Sequence, residues 1–495
     1  MRNAEKSIMN RMLVWYLALS LLFGSLAALL SGALRIGNDV QASVPADKYR
    51  DHMDQIIPGL MEQYGIPGCS IAIVNNYGIS WTQSFGFADV SSGRVLTAST
   101  PMSVQSISKS ITAWGVMKLV ENGRVDLDAP VSGYLKSWQV PWSCFQAERI
   151  TTRRLLSHTA GMPLGDFTDI YDPGVEMPSL REKLTREAII SREPGSGFLY
   201  SNVGYHLLEL LIEEVSGQSY TEYMRSEVLL PLGMNSAVYA PESSMDQYPP
   251  TGYSLAGEPV PVYVYPEKAS GGLFATAGDI ACFLVAGMTD NTVLSPHYVE
   301  LMYSPESRDI GIYNLVFDAY GLGCYLETLP NGLRSVSHGG QGNGIMTHYQ
   351  SIPDTGSAIV VLTNSQRSWP FIASLLSDWA RWQSIPSVGM GRIIWGQYGL
   401  SAVIGMLISA SVLIVIRLVL NVKKVRQTGH AWLKAGIAVI LLGTVIWCKS
   451  QSYLMISSVF PLLSPWLGGA TVVLSAALLL SVLLPVMIGK EMDIL

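Results

Sequence analysis

Ser106 and Lys109 stand three residues apart in "SVQSISKS", directly before the helical-looking run "ITAWGVMKLVENG". Residues three apart on a helix share a face. A helix starting near Ser106 therefore sets the hydroxyl at its positive end and the amine one turn further in. A serine attacks an acyl group only after a base takes its proton. A lysine can be that base only when burial or a neighbouring cation lowers its pKa. The helix dipole favours a developing oxyanion. A second fragment, "GFLYSNVGYHLLELLIEEV", presents Tyr200, Ser201 and Asn202 ahead of another helix. Tyr200 could shuttle a proton to a leaving group, and Asn202 could hydrogen-bond a substrate amide; Ser201 or Asn202 equally suits a helix N-cap. In a third, "SVSHGGQGNG", a strand runs into His338, Gly339 and Gly340. Two glycines let a ligand lie against the strand edge. The N–H of Gln341 could then join that of Ser106 as an oxyanion hole, although a glycine-rich turn would read the same.

The elements that must carry these residues follow from hydrophobic periodicity. Residues 48–385 form one domain, long enough for a large core or two lobes. "DKYRDHMDQIIPGLMEQYG" reads as an amphipathic helix ending at Gly65, and "GCSIAIVNNYGISWTQSFGFA" as a hairpin. After a helical, loop-rich middle, "YGLGCYLETL", "RSVSHGG", "IMTHYQSIP" and "SAIVVLTNS" read as successive strands, and "WPFIASLLSDWARW" as a closing helix. Strands at both ends and helices between them predict an α+β fold: an antiparallel sheet, terminal helices packed on it, and a helical lobe.

The ends of the chain have a different composition. Of 495 residues 49% are hydrophobic and 14% charged, well below the quarter usual in soluble proteins. Arg2, Lys6 and Arg11 precede an uncharged run from Met12 to Leu34, which predicts a signal peptide or signal anchor within residues 1–40. A short linker, 386–398, leads to three apolar runs near 399–420, 431–448 and 467–488, expected to be transmembrane helices. A proline-containing stretch between the last two is expected as an outer loop or re-entrant piece. The basic N-terminus and the loop holding Lys423, Lys424 and Arg426 belong in the cytoplasm by the positive-inside rule. The central domain then lies outside, anchored to the plasma membrane. The net charge of -6, without a basic stripe, argues against nucleic acid. The five scattered cysteines suit small buried residues better than disulfides or zinc. The histidines show no metal-ligand spacing, and no cofactor is expected.

The order S-x-x-K, Y-x-N, H-G-G resembles the penicillin-binding and serine β-lactamase superfamily, specifically its class C β-lactamase-like branch. "NGRVDLDAPVSGYL", "ITTRRLLSHTAGMP" and "ASGGLFATAGDIACFL" extend the resemblance over the whole central domain, with Ala160 and Ala275 where that branch carries serine. The resemblance implies the β-lactamase/transpeptidase-like fold and an acyl-enzyme. It implies Ser106 as nucleophile and Lys109 as its base or the base's electrostatic partner. It further implies Tyr200 as proton shuttle and Asn202 as substrate contact; His338 would line the pocket with Gly339 and Gly340, and Gln341 would supply an oxyanion N–H. His158 is expected to be structural, in a buried hydrogen-bonded turn. Relatives in that branch carry Lys-Thr-Gly where this chain has His338-Gly339-Gly340. The lysine cation and the threonine hydroxyl are both missing, so recognition of a substrate carboxylate should weaken. That points to a peptidase, amidase or esterase acting on D-amino-acid-containing peptides or acylated caps. A cell-wall carboxypeptidase, a β-lactamase and a non-catalytic ligand sensor are the alternatives. The layout is also similar to membrane-bound peptidases that mature nonribosomal-peptide prodrugs, which share "SHGGQ". This chain departs from them at Ser103, where they carry glutamate, and at Gly342-Asn343-Gly344.

Overall fold

The structure is a computed structural model that describes residues 46–241, 247–420, 430–451 and 454–492. The expected N-terminal export segment and the basic loop at Lys423–Arg426 lie outside them. The chain divides into two compact units, Val40–Arg392 and one that holds the apolar C-terminal helices.

The first unit is built on strands β1 (Gly68–Asn75), β2 (Gly78–Asp89), β3 (Arg94–Val95), β4 (Ala319–Tyr320), β5 (Tyr325–Thr328), β6 (Arg334–Gly342), β7 (Ile345–Ile352) and β8 (Ser357–Thr363). Their order across the sheet is β3-β2-β1-β8-β7-β6-β5-β4, and neighbours run antiparallel. The β1–β2 hairpin turns through Asn76 and Tyr77, with φ of 49° and 64°. Paired positive φ angles are what a two-residue turn needs to match strand twist. Strands β1 and β8 join the two ends of the domain, with Cys69 opposite Thr363 and Val74 opposite Ala358. Both strands are buried almost throughout, so they read as continuous apolar runs instead of alternating ones.

The helices that matter to the site are α1 (Ala46–Tyr64), α2 (Ile107–Glu121), α3 (Asn202–Ser216), α4 (Ala277–Ala286) and α5 (Trp369–Trp382). Helices α1 and α5 pack together; Tyr49 stacks on Trp382 with ring centroids 3.9 Å apart. Helix α2 is the core element: every residue from Ile107 to Met117 is buried. A helix enclosed on all sides must find partners for its own polar side chains. Ser110 Oγ donates to Gly323 O at 2.6 Å, and Thr112 Oγ1 to Ala269 O at 2.8 Å.

In the second unit, α6 (Arg392–Leu420), α7 (Ala431–Ser450) and α8 (Ser464–Met492) are each long and apolar enough to cross a membrane. Helix α6 starts at Arg392, inside the stretch read from sequence as linker, and is preceded by a 3₁₀ turn at Gly389–Gly391. A short helix, Met455–Val459, occupies the proline-containing stretch. All five cysteines are free. Cys69 and Cys324 are buried, whereas Cys144 is exposed, contrary to the expectation of buried residues throughout.

Candidate active site

Ser106 is the N-cap of α2, and the residue before it, Gln105, has a φ of +51°. Such a left-handed backbone costs a side chain on the order of 1 kcal/mol or more and persists only where neighbours enforce it. Here they do. The Gln105 amide donates to Ser103 Oγ at 2.8 Å and to the Tyr263 phenol oxygen at 3.2 Å, and its Oε1 accepts from Tyr265 at 3.1 Å. The sharp turn lifts Ser106 to the start of the helix. Among the described residues nothing accepts its N–H.

Lys109 lies one turn in and is fully buried. Its Nζ is 2.8 Å from Asn202 Oδ1, 2.7 Å from Ser270 O and 3.1 Å from Ser106 Oγ. All three partners are neutral. Burial therefore pushes the amine well below the ordinary lysine range. A neutral amine has two N–H bonds; Asn202 Oδ1 and Ser270 O accept both. Its lone pair is then directed at the remaining neighbour, the Ser106 hydroxyl. This arrangement can accept the serine proton.

Tyr200 bonds to the Ser106 side chain, and Lys109 Nζ lies 5.0 Å from its ring centroid. Burial pushes the phenol well up, so it holds its proton. The chain on both sides of Tyr200 is clamped by His158. The His158 carbonyl accepts the Leu199 N–H at 2.7 Å, and its Nδ1 accepts the Ser201 N–H at 3.2 Å. His158 itself sits at φ +58° in the "LLSHTAG" turn, buried against the Tyr200 ring at 4.3 Å. Ser201 is the N-cap of α3: its Oγ accepts the Gly204 N–H at 2.8 Å. The capping duty suggested for Ser201 or Asn202 falls to Ser201. Asn202 is free to face Lys109, and among the described residues its Nδ2 has no partner.

Strand β6 brings the third fragment alongside. A Cβ on Gly340 would lie 2.3 Å from Val104 O and 2.8 Å from Gln105 Cβ. Only glycine allows the strand to pass this close to the segment that leads into Ser106. Gln341 is half-buried and accepts the Trp369 indole N–H at 3.3 Å. Two sequence expectations change here. His338 does not present an open face to a ligand: it is 1% exposed, enclosed by Tyr320, Tyr325 and Tyr200. Its Nδ1 must donate to Gly339 O at 2.8 Å, so Nε2 accepts from Tyr320 at 3.2 Å. Burial and the nearby Lys109 push its pKa down to about 3. Gly339 faces away from Ser106, because its Cβ would meet Trp369 at 2.8 Å and His348 at 3.2 Å. Side chains alternate along a strand, so a hydroxyl at 339 would not reach the same side as His338 and Gly340.

Sequence reasoning quoted "ASGGLFATAGD" without giving it a task. In the fold, this segment holds Lys109. Ser270 O receives Lys109, while His206 Nε2 pairs with Ser270 Oγ at 2.9 Å. Glu209, two helical turns beyond Asn202 on α3, accepts the Lys268 and Ala269 N–H groups, both at 2.7 Å. Burial pushes Glu209 up to about 8. Glu187, His206 and Glu267, remote in sequence, have ligand atoms within 4.8 Å of one another. The Lys183 ammonium already serves them, 2.6 Å from Glu187 and 3.7 Å from Glu267, as well as 2.7 Å from Asp169.

A family profile described as Beta-lactamase matches residues 53–375. The chain belongs to the beta-lactamase family. The sheet with its helical lobe is the beta-lactamase-like α+β fold. "Protein flp" of Staphylococcus aureus is 31% identical over 237 residues, which are 47% of this chain and 45% of that protein. The chain thus spans about half the length of that relative. "Penicillin-binding protein 4*" of Bacillus subtilis is 26% identical over 348 residues, 66% of this chain and 74% of that one. Among solved structures, the octameric penicillin-binding protein homologue from Pyrococcus abyssi superposes with a TM-score of 0.60 at 27% identity, covering 71% of this chain and 81% of its own. SurE, solved with D-Leu, gives 0.56 at 25% identity over 68% and 76%.

Proposed function

We propose that this beta-lactamase family member is an exported, membrane-anchored hydrolase working through an acyl-enzyme on amide bonds of peptides that contain D-amino acids. The observation that carries the reading is the saturation of Lys109: two neutral acceptors hold its N–H bonds, and Ser106 Oγ is the third neighbour at 3.1 Å. Ser106 Oγ attacks the substrate carbonyl while its proton passes to the Lys109 amine. The N–H groups of Ser106 and Gln341 hold the oxyanion. Tyr200, protonated by virtue of its raised pKa, gives its proton to the leaving nitrogen, and the Lys109 ammonium returns the serine's proton to the Tyr200 phenolate. Water then deacylates the serine. The Asn202 Nδ2 group is placed to donate to a substrate amide carbonyl.

Similarity to a structure solved with D-Leu supports the D-amino-acid preference. His338, neutral and buried, supplies no cation for a substrate carboxylate, which favours a peptidase or amidase over an efficient β-lactamase. Ser103, buried and bonded to Gln105, offers no anion to an ammonium group either. The apolar helices supply the anchor, and the charge bias of the loops supports an outside domain.

The test is labelling of the full chain in membranes with a fluorophosphonate probe. Wild type should label and Ser106→Ala should not; equal labelling of both refutes the nucleophile. D-amino-acyl amides should be cleaved faster than their L-counterparts, with a free substrate carboxylate changing kcat/KM by less than about tenfold, the equivalent of one weak exposed charge contact.

A further inference from the structure

One wall of the site is tied to the root of the first apolar helix. The 3₁₀ turn Gly311–Leu315 carries Tyr313, whose ring centroid lies 5.8 Å from that of Tyr200 and 6.0 Å from that of Phe198. The same turn exposes two aliphatic side chains, Ile312 at 56% and Leu315 at 62%. The backbone behind them is fastened to the chain that enters the span. Arg392, the first residue of α6, donates to Leu315 O at 3.2 Å. A Cβ on Gly389 would lie 1.8 Å from Val316 O, so the two backbones touch. The Gly389 N–H is also held by the buried carboxylate of Glu327. Residues 389–392 are therefore folded onto the catalytic unit and are not a loose tether.

Chain continuity then bounds how far this turn can be from lipid. Trp395 and Tyr398 follow Arg392 in the opening turns of α6 and are the aromatic types that settle at headgroup level. Six residue steps of helix lead from Arg392 to Tyr398, an axial rise of about 9 Å. The headgroup layer on each side of the hydrocarbon is itself roughly 5–8 Å deep. A turn whose carbonyl is bonded to the Arg392 side chain starts within reach of that layer.

We infer that the Gly311–Leu315 turn docks on the lipid surface, with Ile312 and Leu315 in the interfacial layer, so that the wall carrying Tyr313 is seated on the membrane. The inference rests on the anchored reading above and adds a lipid contact to it. It favours peptides that are themselves held at the bilayer, since they reach a site whose rim is already there.

Environment-sensitive labelling of the full chain tests it. In a background lacking Cys144, Cys282 and Cys448, single cysteines at Ile312, Leu315, Val95 and Val439 are labelled with bimane. The protein is reconstituted in phosphatidylethanolamine–phosphatidylglycerol vesicles containing either headgroup-proximal or deep nitroxide lipids. Val439, 63% exposed on α7, marks the span, and Val95, 61% exposed on β3, marks the aqueous control. The expected result is quenching of about twofold or more at 312 and 315 by the shallow quencher, none at 95, and quenching at 439 by the deep one, as an interfacial side chain requires. If 439 is quenched while 312 and 315 behave like 95, the docking inference is overturned and the anchor stands. If 439 is not quenched, the anchored reading falls and this inference with it.

Discussion

Lys109 can act as a base because α2 is enclosed on every side and because, among the described residues, no carboxylate reaches its amine. Each condition lowers its pKa, and loss of either would restore an ordinary ammonium. The sign of the pH dependence follows. At low pH Lys109 carries its third proton, the lone pair is blocked, and acylation is slow. As pH rises through the lowered pKa the lone pair is freed and the rate climbs to a plateau. The rising limb of the fluorophosphonate or amide acylation rate should therefore lie clearly below the ordinary lysine range. Lys109→Ala should remove that limb and cost about 10²–10⁴ in rate. A limb that survives unchanged in Lys109→Ala would assign the base elsewhere. The same shift acts on stability. The folded amine binds its proton more weakly than the unfolded one, so stability rises with pH between the lowered and the ordinary pKa.

Strand β6 and helix α2 are set at a distance only glycine allows. Gly340→Ala would put a methyl group 2.3 Å from Val104 O, against backbone that cannot swing away. The strand must shift, and with it the Gln341 N–H. Gly340→Ala should cut acylation at least tenfold and cost about 1–3 kcal/mol in chemical denaturation. Gly339→Ala meets the far end of the Trp369 side chain on the opposite face. It should leave acylation within about threefold, at a smaller stability cost. Equal loss of acylation in the two variants would mean that the contact with the nucleophile segment is unimportant. The turn at His158 belongs to this scale too, since its carbonyl and its imidazole hold both neighbours of Tyr200.

At the scale of the whole molecule, the sheet, α2 and the helical lobe share one core that is complete by Arg392. Glu327 and Val316 hold Gly389, so a chain ended just after Arg392 keeps these contacts. Such a truncated chain should partition into the aqueous phase and still label at Ser106 with a fluorophosphonate. Loss of labelling together with loss of a cooperative melt would show that the apolar helices are needed for folding. Ending the chain before Gly389 should instead lower the melting temperature, because the buried Glu327 carboxylate loses a donor.

The sequence alone determined much of the order and type of the elements, because periodicity and turn residues are local: a helix from Ser106, a hairpin at Asn76–Tyr77, three of the closing strands and three apolar C-terminal helices, whereas the run "YGLGCYLETL", read as one strand, is the two paired strands β4 and β5. It also determined the residues able to do chemistry, because serine, lysine and tyrosine in that order are legible as types. Only the tertiary structure decided their states. Ser270 as the acceptor for Lys109, Glu209 and His158 as holders of backbone, the burial of His338 and the outward aim of Gly339 depend on segments far apart in the chain. Burial and hydrogen-bond partners are set by what packs around a group, and no local pattern encodes that surrounding.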